Sequence, residues 1–304
     1  MENTYMFENY VSIGRNFIVE KNYLKALKFF KKAYSCPEGK DDIDLILDLA
    51  FIYDKIAHYD LAEKMYKRAL ELDNTCALAY YGLGIIYDDD EDYKKAIEFY
   101  KKAIENDNKY EKAYFFLANA YDELGNKEDA IKNYNEVLKL NPNDLWANAN
   151  LGCIYDEMGN TKLALQYMER ALEISPNHFR ILFNMGVFNN KLGNEEMAIE
   201  YYQKSIKEDP YYPYSYLNYA VIYREKENYL KAIEIINEGI KENPEQGFLY
   251  YNRACFYTAI NELELALDDV LQSIELNDFF EDYMKKDTDL DKMRNLKRYK
   301  ELFN

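Results

Sequence analysis

Aspartate side chains recur at a fixed interval along this chain of 304 residues, and a row of carboxylates could hold another polypeptide. Four of them follow one another at steps of 34 residues, namely Asp54, Asp88, Asp122 and Asp156. Such a row would attract the lysine and arginine side chains of a partner. The alternative is that they are ordinary solubilising residues of an acidic protein.

Asparagines form a second row with the same interval. Its members are Asn150, Asn184, Asn218 and Asn252, with Asn119 close to the equivalent place one interval earlier. An amide side chain offers a donor and an acceptor, which match the groups of an extended peptide backbone. The row could therefore hold a peptide with little sequence preference, or it could simply bond to neighbouring parts of its own chain.

Aromatic residues supply a third candidate set for contacts with a partner. These residues are Tyr81, Trp146, Tyr214 and Tyr251. If they face a groove they are natural anchors for a bound segment. If the helices that carry them are rotated slightly, they are core residues instead.

The sequence offers little support for catalysis. His58 and His178 have no partner at metal-ligand spacing, and the chain has no phosphate-binding glycine loop or nucleophile elbow. With 55 acidic residues, chance carboxylate pairs are inevitable. We therefore predict no catalytic residue, no metal site and no cofactor.

The formal net charge of −17 constrains the partner. It argues against nucleic acid and against anionic membrane surfaces, because both attract basic proteins. Basic proteins or peptides are favoured instead. The four scattered cysteines, the lack of a secretion signal in residues 1–10 and the lack of a long apolar run predict a cytoplasmic location.

The elements that position these residues are clearest in residues 145–178. Apolar residues spaced by three and four predict a helix over about 145–158 and a second over about 161–174. Gly159 allows the positive φ that ends the first helix, Asn160 can cap the second, and Pro176 stops it. A helical hairpin of this size cannot bury its apolar face alone.

Copies of this hairpin fill the chain at a period of 34 residues. Alanine recurs at the step of Ala164, small residues recur at the step of Gly152, and aromatics recur at the step of Tyr155, with Asn189 as the misfit. The first copy fits once two extra residues near Cys36–Lys40 are allowed. Small residues at one place and aromatics at another predict interdigitated helix packing.

The pattern L-G-x2-Y, then alanine, then a distal proline resembles the tetratricopeptide repeat. The resemblance implies an all-α, right-handed superhelical solenoid of stacked helix-turn-helix hairpins, whose first helices line a concave groove. We predict a lead-in at 1–6, a single array over 7–280 and a C-terminal cap at 281–304. The expected repeats are 7–42, 43–76, 77–110, 111–144, 145–178, 179–212, 213–246 and 247–280.

The resemblance also implies the function. We predict a non-catalytic adaptor that binds a peptide segment of a partner protein in the concave groove. The alternative is a self-assembling scaffold that uses outer faces or open ends. Family members that grip a C-terminal carboxylate carry basic residues where this chain has Phe115 and Asn184, so Arg180, with Asn119 and Asn150, would form only an incomplete clamp.

Overall fold

The protein is all-helical in the computed structural model, which describes residues 2–303. Eighteen α-helices and three short 3-10 helices occur in that range, and no strand is present there. Consecutive helices pack against each other as hairpins. The predicted all-α fold class is therefore confirmed.

The chain divides into two compact units, Met1–Ala147 and Asn148–Asn304. The first unit holds four hairpins and the start of a ninth helix. A 3-10 helix, Glu38–Lys40, accommodates the two extra residues of the first copy. The helices are α1 (Glu2–Val19), α2 (Tyr23–Tyr34), α3 (Ile43–Lys55), α4 (Tyr59–Leu72), α5 (Ala77–Asp89), α6 (Tyr93–Asn106), α7 (Glu111–Glu123), α8 (Lys127–Leu140) and α9 (Leu145–Glu157), and the division falls within α9.

The second unit continues the pattern and ends in shorter helices. Two 3-10 helices, Thr288–Leu290 and Met293–Asn295, lie in its last part. The helices are α10 (Thr161–Ile174), α11 (Phe179–Lys191), α12 (Glu195–Glu208), α13 (Pro213–Glu225), α14 (Tyr229–Glu242), α15 (Gly247–Ala259), α16 (Leu263–Leu276), α17 (Phe279–Met284) and α18 (Lys297–Phe303).

The two ends differ in how closely they follow the sequence prediction. Residues 2–6, expected as a lead-in, belong to α1, and residue 1 lies outside the described range. At the other end, α17 begins at Phe279, two residues before the predicted cap. Met284, Leu290 and Met293 are fully buried there and pack in one cluster with residues of α15 and α16. The tail therefore covers the apolar face of the last hairpin.

Side-chain bonds hold this tail in place. The Arg294 guanidinium donates to the backbone carbonyls of Met284 and Asp287, at 2.6 Å each. The hydroxyl of Tyr251 in α15 donates to Asp287 Oδ2 at 2.7 Å. The short helices are thus fastened both to each other and to the hairpin that they cover.

Small residues sit where the helices approach most closely, as the period predicts. A Cβ on Gly84 would lie 2.4 Å from the ring of Tyr100, and one on Gly186 would lie 2.5 Å from the ring of Tyr202. Eight equivalent alanines are completely buried: Ala26, Ala62, Ala96, Ala130, Ala164, Ala198, Ala232 and Ala266. The predicted packing role of the alanine positions is confirmed.

The turn inside every hairpin has the same backbone conformation. The residue after each first helix has a positive φ between 55° and 80°, at Lys21, Ala57, Glu91, Gly125, Gly159, Gly193, Glu227 and Asn261. The next backbone N–H donates to a carbonyl five residues earlier, as from His58 to Tyr53 at 2.8 Å. This is the Schellman arrangement, which satisfies the last carbonyls of a helix with main-chain donors alone.

The misfit in the aromatic series has a local explanation. Asn189 is 1% exposed, and its amide donates to the Met185 carbonyl at 2.8 Å. Its side-chain oxygen accepts from Asn194 at 3.3 Å across the turn. A buried amide that is hydrogen-bonded at both ends replaces a ring without leaving an unsatisfied polar group.

Candidate peptide-binding cleft

The first unit contains a cleft of about 530 Å³ lined by the first helices of three consecutive hairpins. Helix α3 forms one wall, α5 forms the floor and α7 forms the other wall. The lining residues are Leu47, Asp48, Phe51, Asp54, Lys55, Tyr66, Leu78, Tyr81, Gly82, Ile85, Asp89, Tyr110, Lys112 and Phe116. A cleft of this volume suits the side chains of a short peptide segment.

Aromatic rings make up much of the cleft. The Tyr81 ring lies 5.0 Å from that of Tyr110 and 5.8 Å from that of Phe116, measured between centroids. Burial, and then the charges of Asp54 and Asp88, raises the pKa of Tyr81 to about 12. Its hydroxyl therefore stays protonated at neutral pH and can donate a hydrogen bond to a ligand.

Carboxylates line the same space. Asp48 binds Arg15 at 2.8 Å and Asp54 binds Lys55 at 2.9 Å. Burial raises the pKa of Asp48, although the bond to Arg15 opposes it. Burial also raises the pKa of Asp89, and the charge of Asp54 adds to the effect. Asp54 and Asp89 thus lie close enough for each charge to disfavour the other, and a cation placed between them would relieve both.

The remaining members of the predicted aspartate row bond to other residues of the chain. Asp88 accepts from the Tyr100 hydroxyl at 2.9 Å, and Asp122 pairs with the Lys127 ammonium at 2.7 Å. In the second unit, Asp156 accepts from Thr161 at 2.8 Å and pairs with Lys191 at 2.5 Å. The sequence predicted a row that awaits a partner, whereas the structure gives each aspartate an internal partner and places only Asp54 of the four in the cleft.

The asparagines also bond within the chain. Asn119 accepts from the Tyr134 hydroxyl. Asn218 and Asn252 donate to carbonyls of their own helices, those of Tyr214 at 3.0 Å and Phe248 at 2.7 Å. Asn184 approaches the Cys153 sulfur at 3.7 Å, and Asn150 is half-buried on α9.

The other predicted site residues lie outside the first cleft. Trp146 is 40% exposed in the first unit. In the second unit, Tyr214 is 48% exposed and stacks on Phe248 with centroids 5.2 Å apart. Arg180 is exposed and lies over the ring of Phe179. Tyr251 is 5% exposed, and its hydroxyl is held by Asp287, so its ring is part of the core beneath the tail.

A second cleft, of about 520 Å³, lies in the second unit between α13, α15 and the tail. Tyr251 and Asn252, both predicted site residues, line it. Phe279 and Tyr283 stack at its rim with centroids 5.9 Å apart. The two clefts lie in different units, and the predicted residues are divided between them.

Reasoning from sequence placed Asp54 and Tyr81 in a groove but missed Lys55, Tyr66 and Tyr110. It considered only inward positions of the first helices, whereas Tyr66 comes from α4 and Tyr110 immediately precedes α7. A tyrosine in the cap position of a helix is unusual, and that signal could have drawn attention to Tyr110.

Two further structural features bear on function. Within residues 2–303, no group of three or more His, Cys, Asp or Glu side chains is arranged to hold a metal ion. In that same range, none of the helices combines the length and apolar character that crossing a lipid bilayer requires.

Models of known protein families match consecutive parts of the chain. Tetratricopeptide repeat models match residues 89–149, 147–178, 179–212 and 201–234. The model of the C-terminal ARM domain of tetratricopeptide repeat protein 21 matches residues 8–110, and a Sel1 repeat model matches residues 235–255. The chain belongs to the tetratricopeptide repeat family. Tetratricopeptide repeats support a role in protein–protein interaction, so the chain is an interaction protein in this broad sense.

Solved tetratricopeptide repeat structures agree with this assignment. YrrB, described as a TPR protein with an unusual peptide-binding site, is 28% identical with a TM-score of 0.52, and the match covers 61% of this chain and 95% of that one. A tetratricopeptide repeat protein of Parabacteroides merdae is 21% identical with a TM-score of 0.63, over 83% of this chain and 99% of that one. Pseudomonas aeruginosa PilF is 17% identical with a TM-score of 0.63, over 74% of this chain and 100% of that one. No curated protein matches the sequence.

Proposed function

We propose that this protein is a non-catalytic adaptor that binds an extended, basic segment of a partner protein in the cleft between α3, α5 and α7. The observation that carries the proposal is the chemistry of that cleft. Tyrosine and phenylalanine rings form its floor, and the carboxylates of Asp48, Asp54 and Asp89 line its walls. Rings supply contact area at a low cost in side-chain entropy, and carboxylates select cationic side chains.

A basic partner fits the charge of the protein as well as that of the cleft. The whole chain carries a net charge of −17, so a cationic segment is attracted before it makes contact. The likeness to YrrB supports a peptide as the form of the ligand, since that protein is described as having a peptide-binding site. The proposed partner is therefore a protein, and neither a nucleic acid nor a membrane.

A non-catalytic role agrees with the bonding of the cleft carboxylates. Asp48 and Asp54 are occupied by Arg15 and Lys55, and neither carboxylate is positioned as the base for a nucleophile. Four cysteines without disulfides suit a reducing compartment, so we place the protein in the cytoplasm.

The proposal is tested with immobilised twelve-residue peptides that contain zero to four arginines or lysines. Binding of the purified protein should rise with the number of cationic residues and fall with salt, since exposed charges are screened. The double variant Asp54→Asn/Asp89→Asn should lose about tenfold in affinity, corresponding to one or two charge-assisted hydrogen bonds.

The matched control is Asp60→Asn. Asp60 is an exposed carboxylate of the same unit, in the first turn of α4 and away from the cleft, so its loss removes charge without touching the lining. It should change affinity less than about twofold at physiological salt. Equal effects of the control and the cleft variants, or binding that ignores peptide charge, would refute the proposal.

A further inference from the structure

Lys55, the last residue of α3, directs its ammonium into the cleft. Its Nζ lies 2.9 Å from Asp54 Oδ2 and 5.4 Å from the centroid of the Phe51 ring. Successive side chains on a helix point about 100° apart and do not normally meet. The bond between these adjacent residues therefore requires the lysine stem to fold back along the helix instead of extending into solvent.

Two carboxylates face this ammonium. Asp54 belongs to the same hairpin, with a side chain only 10% exposed, and Asp89 comes from the next hairpin. The hydrogen bond to Asp54 raises the pKa of Lys55, and the charge of Asp89 adds to it. The cleft thus already contains a cation, placed over a ring and between acids.

We propose that Lys55 occupies the place that an arginine side chain of the partner takes, and that binding of the partner displaces it. This inference rests on the proposed function and names the side chain that the cleft selects. A guanidinium is planar and carries five donors, so it can stack on Phe51 while bonding to both Asp54 and Asp89. A compact ammonium cannot use the ring face and both carboxylates equally well.

The internal occupant is suited to displacement. The Lys55 side chain is 43% exposed, and an ion pair at such a position contributes little to stability. Release of the lysine restores rotamer freedom to a long side chain. The charge of the displaced ammonium returns to water, whereas the two carboxylates keep a cation between them throughout the exchange.

Variants of the two cleft lysines test the inference. Lys55→Met keeps the length of the side chain and removes the competing charge, and Lys112→Met removes the same charge from the opposite wall, where no ion pair is broken. The probe is N-acetyl-arginine amide, followed by NMR, with N-acetyl-citrulline amide as the neutral counterpart. Lys55→Met should bind the arginine probe about fivefold more tightly than the unaltered protein, and Lys112→Met less than twofold.

The inference is overturned if Lys55→Met brings no gain, if Lys112→Met brings the same gain, or if citrulline amide gains equally. Basic peptides that bind the cleft without any gain in Lys55→Met would leave the proposed function intact and remove this inference alone. Failure of the proposed function is detected separately, because there the charge preference itself would be missing.

A second measurement does not depend on any peptide. Lysine ammonium groups labelled with ¹³C-methyl by reductive methylation report their surroundings by NMR. The Lys55 methyl signal should be shifted by the Phe51 ring, lose the shift in Phe51→Leu, and move to the position of solvated lysines when the arginine probe is added. A Lys55 signal at the solvated position in the free protein would refute the internal occupant.

Discussion

Replacing Ala57 with glycine should stabilise the protein, although the change deletes a methyl group. Ala57 ends α3 with φ at 59°, and its side chain is exposed, so no packing is lost. A left-handed conformation costs an L-residue with a Cβ about 1–2 kcal/mol relative to glycine. The unfolded glycine chain is freer, which subtracts about 0.4–1 kcal/mol. The net expectation is a gain of about 0.5–1 kcal/mol.

The measurement is urea unfolding followed by circular dichroism, with amide hydrogen exchange to localise the effect. The melting temperature should rise by about 1–2 °C in a chain of this length. Because each repeat contacts mainly its neighbours, exchange should slow most in α3 and α4. The reverse change, Gly159→Ala at the equivalent turn with φ at 78°, should destabilise by a similar amount. The reasoning fails if Ala57→Gly lowers stability or if both variants shift in the same direction.

Three further predictions follow from packing and charge. Gly84→Ala should cost about 1–3 kcal/mol in urea unfolding, because the new methyl meets the Tyr100 ring at 2.4 Å. Arg253→Met should cost about 3–5 kcal/mol by calorimetry, because it leaves Asp269, bonded through both oxygens at 2.7 Å, buried without its cation. Burial raises the pKa of Asp89, so the folded state binds a proton more readily than the unfolded state. Stability should therefore rise as pH falls from neutral through that raised pKa, and Asp89→Asn should flatten this rise in urea unfolding at several pH values.

Much of the fold is predictable from the sequence because it depends on residue size at a fixed period. The alanine step identified positions that are fully buried, and the glycine step identified contacts such as that between Gly186 and Tyr202. The turns were visible only where glycine marks them. At Lys21 and Glu91 the left-handed conformation is imposed by the packing of the two helices, and no local residue signals it.

The site was less predictable because reach and rotation of side chains decide it. The aspartate row is real as a spacing, yet each member meets a different partner, as Asp88 with Tyr100 and Asp122 with Lys127 show. Periodicity places a Cα on one face of a helix but does not fix which neighbour a flexible side chain reaches. The fold-back of Lys55 onto the preceding residue is a case that spacing rules disfavour.

The tail fastened by Arg294 has a consequence for assembly. Stacked hairpins expose at each end a surface that resembles the one they bury, so chains of this kind are prone to polymerise head to tail. In the second unit, Met284, Leu290 and Met293 already occupy the place that a hairpin of another molecule would take. The tail therefore acts as a terminator of growth, and its removal should favour filaments.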